Sequence, residues 1–329
     1  MSSDVDLDAL AARIAGELSR ADQIGNRESA GAQRSWADGN RPRGTENREP
    51  GTENPDAGRL ATASGSQGVR YVRENARIAE FIDHTLLKAE TTRGDIDQLC
   101  SEALEHEFAA VCVNPVWVPR CAERLQGSRV AVATVVGFPL GANRSEIKAA
   151  ETSLAVKQGA TEIDMVAAVG HIKGGDWSHV ADDIAVVVGA AAGRLVKVII
   201  ESAHLTPVEI IKASALAREA GAHYVKTSTG FHAAGGATAE AVALMRLVVG
   251  DSMGVKASGG VRDCSTALRM IANGATRIGT SSGVGMAQCL GRGPLPMREL
   301  LASPDAHQER CASGVCLTSD ATTKAAAVY

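Results

Sequence analysis

Two lysines set inside apolar stretches are the first residues here that could do chemistry. Lys226 lies in HYVKTS at 223–228 and Lys256 in GVKAS at 254–258. Lysine avoids such positions unless it is paired or working. Taken singly, either one reads as the ion-pair partner of a carboxylate. Held close together in a partly desolvated mouth, each ammonium disfavours the other's charge, which brings an amine toward a pKa of roughly 7–8. Such an amine is neutral at working pH and nucleophilic toward a carbonyl carbon. Asp164, in EIDMV at 162–166, supplies a carboxylate that can neutralise buried lysines and move protons between them. Lys197 and Glu201 share the parity of an inward-facing set and extend this polar group.

A second kind of chemistry is suggested by two loops, Ser258-Gly259-Gly260-Val261-Arg262 and Gly279-Thr280-Ser281-Ser282-Gly283. Both offer small residues, approachable backbone N–H groups and hydroxyls ahead of a helix, where anions bind; two tight turns without a ligand would look the same. There is no G-x-x-x-x-G-K-[ST], no G-x-G-x-x-G after a strand and no H-E-x-x-H, so nucleotide, dinucleotide and zincin chemistry lack their markers. The eight histidines are dispersed without metal-ligand spacing, and the nearest pair of candidates, Asp83-His84, reads as structural. No metal is expected.

The elements that must hold these residues alternate. Strand-like runs centre on Ile82 and span 109–113, 130–136, 162–166, 196–200, 223–228, 254–258 and 277–281, with helical text between them. Eight βα units with right-handed crossovers imply one parallel sheet, and eight strands close a (β/α)8 TIM barrel. Thr206-Pro207-Val208-Glu209 reads as a capping box opening a helix that stops at Gly221. Asp263 caps a helix ending at Gly274, and another helix from near Ser145 stops at Gly159. Each of these glycines leads through Ala into a strand, and five residues beyond them lie Asp164, Lys226 and Gly279. The three are placed at the carboxyl ends of strands four, six and eight, the face where barrels do chemistry.

Composition sets the limits. Apolar residues make up 45% of the 329-residue chain but aromatics only 3%, which suits a core of Ala, Val, Ile and Leu. A net charge of −4 gives no electrostatic reason for a nucleic-acid or membrane-surface partner. No run reaches the length of a membrane span and no signal-peptide core is present; seven scattered cysteines point to a reduced, cytoplasmic protein, with Cys311 and Cys316 a weak lone pair. Residues 1–70 read as a disordered, low-complexity extension with a short helix near 5–20, either fraying or a docking peptide. Its removal is expected to leave stability nearly unchanged. Residues 71–302 form the barrel and 303–329 a flexible tail.

The segments FIDHTLL, EIDMV, YVKTSTGF and VKASGGVR, in this order and supported by ATVVGFPLG and LVKVIIE, resemble the deoxyribose-phosphate aldolases from about residue 75 to about residue 290. The resemblance implies a cofactor-independent lyase that splits 2-deoxy-D-ribose 5-phosphate through a lysine Schiff base, with a sugar phosphate and an aldehyde as its small-molecule partners. It implies Lys226 as the imine former, Lys256 as the neighbour that lowers its pKa and shuttles protons, and Asp164 as proton donor and acceptor. Asp83, Thr85, Lys197, Thr227 and Thr229 fall at substrate positions, and Gly259, Gly260, Arg262, Ser281 and Ser282 around the phosphate. Phe231 stands where some relatives place a phosphate-binding lysine. The resemblance further implies a homodimer, and a terminal tyrosine, here Tyr329, that reaches the site on a mobile tail.

Overall fold

The computed structural model describes residues 6–14, 16, 72–291, 293 and 295–302. Its centre is a closed parallel barrel in sequential order: β1 (Ile82–Leu86), β2 (Ala110–Val113), β3 (Ala131–Val136), β4 (Glu162–Val166), β5 (Leu195–Ile199), β6 (Tyr224–Lys226), β7 (Gly254–Ser258) and β8 (Arg277–Thr280). Around it run α1 (Arg93–His106), α2 (Val118–Arg124), α3 (Ser145–Lys157), α4 (Val169–Gly174), α5 (Trp177–Ala190), α6 (Pro207–Glu219), α7 (Ala239–Val249), α8 (Cys264–Ala272), α9 (Gly283–Leu290) and α10 (Met297–Ala302). Among the described residues no helix is long and apolar enough to cross a membrane.

Local chemistry explains where these helices start and stop. Thr206 and Glu209 satisfy each other's backbone N–H groups at the start of α6, where Pro207 needs no donor, and the Asp263 side chain accepts from Thr266 N–H at the start of α8. Gly159, Gly221 and Gly274 follow α3, α6 and α8 with φ of 109°, 83° and 108°, a conformation that favours glycine.

Register then fixes which side chains face inward, because strand side chains alternate with a period of two. Asp164 pairs with Lys197, Ile199 with Lys226, Lys226 with Lys256 and Lys256 with Arg277, so one parity carries the ionisable residues into the barrel. The other parity, including Val111, Ile163, Val198, Val225 and Ile278, packs outward under the helices in one continuous apolar layer. Inside the barrel, Leu87, Ala110, Cys112, Ala133 and Val135 form a separate small apolar cluster.

Residues 7–14 are helical. Isolated helices this short are marginal in water. This one has support: Ala11 and Ile14 are buried, and Leu7 and Leu10 pack against the main apolar layer.

Candidate active site

Asp164 lies at the centre of a buried charge network. Its Oδ1 accepts a hydrogen bond from Lys197 Nζ at 2.6 Å, and its Oδ2 accepts from Lys226 Nζ at 2.9 Å and Lys256 Nζ at 2.7 Å. Lys256 Nζ also lies 2.5 Å from Asp83 Oδ2, and Lys197 Nζ 2.6 Å from Glu162 Oε2. Arg277 closes the ring, its Nε donating to Asp83 Oδ1 at 2.6 Å and its Nη2 to Glu162 Oε2 at 3.0 Å. Asp83, Asp164, Lys197 and Lys256 are wholly buried, and Lys226 keeps 2% of its surface open.

With water excluded, the balance of charge becomes decisive, because an uncompensated buried ion is destabilising. Three carboxylates (Asp83, Glu162, Asp164) face four basic groups (Lys197, Lys226, Lys256, Arg277), so four minus three leaves one positive charge too many. Burial disfavours every cation, but the carboxylates that touch Lys197, Lys256 and Arg277 outweigh it and hold all three protonated above their ordinary range. Lys226 differs. Burial lowers it, Asp164 pulls the other way, and the neighbouring Lys256 charge lowers it again, leaving it below the usual lysine value. Discharging Lys226 makes the count three against three. The sequence points to a close ammonium neighbour in a partly desolvated mouth; here burial is the larger cause and the Lys256 charge adds to it.

The carboxylates behave in the opposite sense. Burial pushes Asp164 up, but Lys197, with Lys226 and Lys256 after it, overcomes that push and keeps the group ionised well below the usual range. Asp83 is likewise raised by burial and brought down further by Arg277, Lys256 and Lys197. Cys112 Sγ sits 4.0 Å from Asp164 Oδ2, and burial raises its thiol.

Space is made for this crowd by an omission. Gly279 faces inward beside Ser258, and a Cβ there would stand 2.2 Å from Ser258 Oγ and 3.0 Å from Lys256 Cε.

The remaining sequence candidates divide. Thr85 Oγ1 donates to Asp83 O and lines a cavity of about 380 Å³ shared with His84, Ser281 and Ser282; the lysines of the network are not among its walls. Thr227 Oγ1 donates to Ser258 O and accepts from Ser258 N–H, tying β6 to β7. Thr229 Oγ1 donates to Glu201 Oε2 at 2.5 Å. Glu201, expected in the lysine network, is thus turned toward the β6 loop, by a left-handed backbone at φ 58°. Gly259 and Gly260 are both left-handed, at φ 84° and 77°, and Gly236 packs directly on Gly259. Thr280 Oγ1 donates to Val261 O and accepts from Ser282 N–H, bracing the β7 and β8 loops together. Gly260, Ser281 and Arg262 are exposed at this edge. Tyr329, Cys311 and Cys316 lie outside the described residues.

Sequence reasoning missed Arg277 and Glu162, though both have the inward parity of Lys197 and Lys256. It also missed Ser228; the buried hydroxyl oxygens of Ser228 and of Ser258, which opens the first candidate loop, have no hydrogen-bond partner among the described residues. His84 Nε2 lies 2.7 Å from Glu102 Oε2, and its buried Nδ1 has no hydrogen-bond partner among the described residues. The fold does gather His171, Asp176 and His179, which their spacing did not suggest. Asp176 Oδ1 caps α5 and its Oδ2 pairs with His171 Nδ1.

A barrel whose buried, charge-compensated amines lie along its later strands is an enzyme scaffold, since barrels of this kind work at the carboxyl ends of their strands. Residues 77–289 match the family described as DeoC/LacD family aldolase, and the chain belongs to that family. A relative from Histophilus somni (strain 2336), named deoxyribose-phosphate aldolase, is 57% identical over 207 residues, 63% of this chain and 92% of that one. Another of that name from Brevibacillus brevis is 60% identical over 205 residues, 62% of this chain and 92% of the relative. Among solved structures, the tetrameric deoxyribose phosphate aldolase from Aeropyrum pernix is similar at 32% identity and a TM-score of 0.62, covering 68% of this chain and 95% of its own.

Proposed function

We propose that the chain catalyses reversible aldol cleavage of 2-deoxy-D-ribose 5-phosphate to acetaldehyde and D-glyceraldehyde 3-phosphate through an imine on Lys226. The observation that carries this reading is the lowered Lys226 amine, 2.9 Å from the Asp164 carboxylate and beside a Lys256 that keeps its proton. Relatives at 57% and 60% identity carry the matching name.

Neutral Lys226 attacks the C1 aldehyde, and Lys256 donates the proton with which the carbinolamine oxygen leaves as water. The iminium draws electrons from the C2–C3 bond, which breaks as the C3 hydroxyl loses its proton. D-glyceraldehyde 3-phosphate departs and an enamine remains. Protonation at C2 and hydrolysis release acetaldehyde and restore the amine. Asp164 holds the Lys226 and Lys256 nitrogens in register and accepts from each, so that protons pass between Lys256, water and substrate around a fixed negative charge. The iminium is itself the electron sink, so no cofactor enters.

The phosphate is held at the β7 and β8 loops, by Gly259, Gly260, Ser281 and Ser282 with Arg262 at the edge, where small residues let an anion come close to the backbone. Asp83 acts on the substrate through Lys256 and Lys197 through Asp164, Thr85 lines the approach, and Thr227 and Thr229 fix the loop after Lys226. The tetrameric neighbour from Aeropyrum pernix supports an oligomer of identical chains, and the free state of the five described cysteines fits a reducing, cytoplasmic setting. A coupled assay for glyceraldehyde 3-phosphate release tests the substrate. Release from other sugar phosphates but not from deoxyribose 5-phosphate, or from none, would defeat this reading.

A further inference from the structure

We propose that the outer face of α6 is a docking surface for an acidic amphipathic helix, and that residues 6–14 of the same chain are its occupant. Three observations converge on it.

The first is α6 itself. A helix on the outer ring of a barrel buries a stripe, as α5 does with Val180, Asp183, Ile184 and Val187. On α6 the residues Ile210, Ile211, Lys212, Ala213, Ser214 and Ala215 are all buried in an unbroken run. At 3.6 residues per turn such a run passes right around the helix, so α6 is covered on the side away from the strands as well. The second is the occupant. Leu7, Leu10, Ala11 and Ile14 recur at helical spacing; Ala11 is 3% and Ile14 4% exposed. The third is the charge match. Asp8 pairs with Lys212 Nζ, and that amine also lies 5.2 Å from the centroid of the Trp177 ring at the start of α5. Lys212 therefore offers one cation to an acidic side chain above it and an aromatic face beside it.

The surface belongs to the chain's own terminus. The family match begins at residue 77, so the helix lies outside the part shared with the family and reaches the barrel through a covalent tether. A tether supplies an effective concentration on the order of millimolar, so modest affinity for α6 suffices to keep the helix seated. α6 joins β5, which carries Lys197, to β6, which carries Lys226, and the docked helix clamps that connection from outside.

The test uses the full chain and a chain lacking residues 1–16. Deletion should lower the melting temperature by about 5 °C or more and speed amide exchange in α6, with little change in aldolase turnover at 25 °C. A synthetic peptide of residues 1–16, added to the truncated chain at up to about 1 mM, should bind and restore the lost protection, and the same peptide with Leu10→Asp and Ile14→Asp should not. In the full chain, Lys212→Asp should destabilise, and adding Asp8→Lys should recover part of the loss. Unchanged melting and exchange, with no peptide binding, would overturn the proposal. So would an oligomer that falls apart on deletion, which would make the occupant a neighbouring copy's helix.

Discussion

The two sides of the barrel interior obey one strand period and hold opposite contents. β2 and β3 turn Ala110, Cys112, Ala133 and Val135 inward, small and apolar, with Phe138 and Phe231 packed against them. β1 and β4–β8 turn in Asp83, Glu162, Asp164, Lys197, Lys226, Lys256 and Arg277, nearly all of the buried charge at the site. The apolar side does not dilute the charged one; it removes water from it. The same carboxylates and ammonium groups in solvent would be screened and ordinary, whereas here their count decides which of them is discharged.

The largest effect expected from disturbing this arrangement is loss of the amine. Lys226→Leu should lower kcat/KM by about 10⁴-fold or more and abolish the ethyl adduct left by acetaldehyde and borohydride, read by peptide mass spectrometry. An adduct that persists at Lys256 would reverse the assignment. Next comes Lys256→Leu. It removes a like charge from beside Lys226, so the Lys226 pKa rises, and the acidic limb of the trapping rate against pH moves to higher pH. An unmoved limb would leave burial as the whole cause of the depression. Lys197→Met tests the count at a distance, since Lys197 bonds Asp164 and Glu162 rather than Lys226. Two fixed cations then face three carboxylates, Lys226 is favoured to keep its proton, and the same limb shifts in the same direction by a smaller step. The smallest effect is expected on the apolar side. Phe231→Leu loses an edge contact with Phe138, whose ring lies 5.2 Å away, and should destabilise by about 1 kcal/mol in denaturant melts with turnover changed only a few-fold.

Much of this was legible in the sequence because strand period and helix punctuation are local. The runs at 162–166 and 254–258 coincide with β4 and β7, and the Thr206 and Asp263 side chains cap the helices whose starts they mark. Parity also put Lys197 inward. Partnership across the barrel was not legible. Arg277 joins Asp83 and Glu162 from strands far apart in sequence, and no spacing rule connects them. Glu201 was misplaced for a similar reason, as parity ends where the strand ends and a left-handed backbone at that residue turns its side chain elsewhere. The short N-terminal helix shows the same limit from the other side. Its apolar stripe was visible, but whether such a stripe finds a surface depends on α6, some two hundred residues later.

Gly279 ties two distant stretches of sequence through volume rather than charge. The lysine of VKASGG can lie where it does only while the residue twenty-odd positions later has no side chain, because the space a methyl group would take is already filled by Ser258 and the Lys256 stem. The barrel mouth is thus a fixed volume shared among strands, and whatever β8 declines to occupy becomes available to β7. Engineering that enlarged the site by trimming Ser258 would relieve the tightest of these contacts at position 279 and leave the one with the Lys256 stem. The two positions therefore behave as one steric unit, and a library that adds bulk at 279 alone would sample mostly strained proteins.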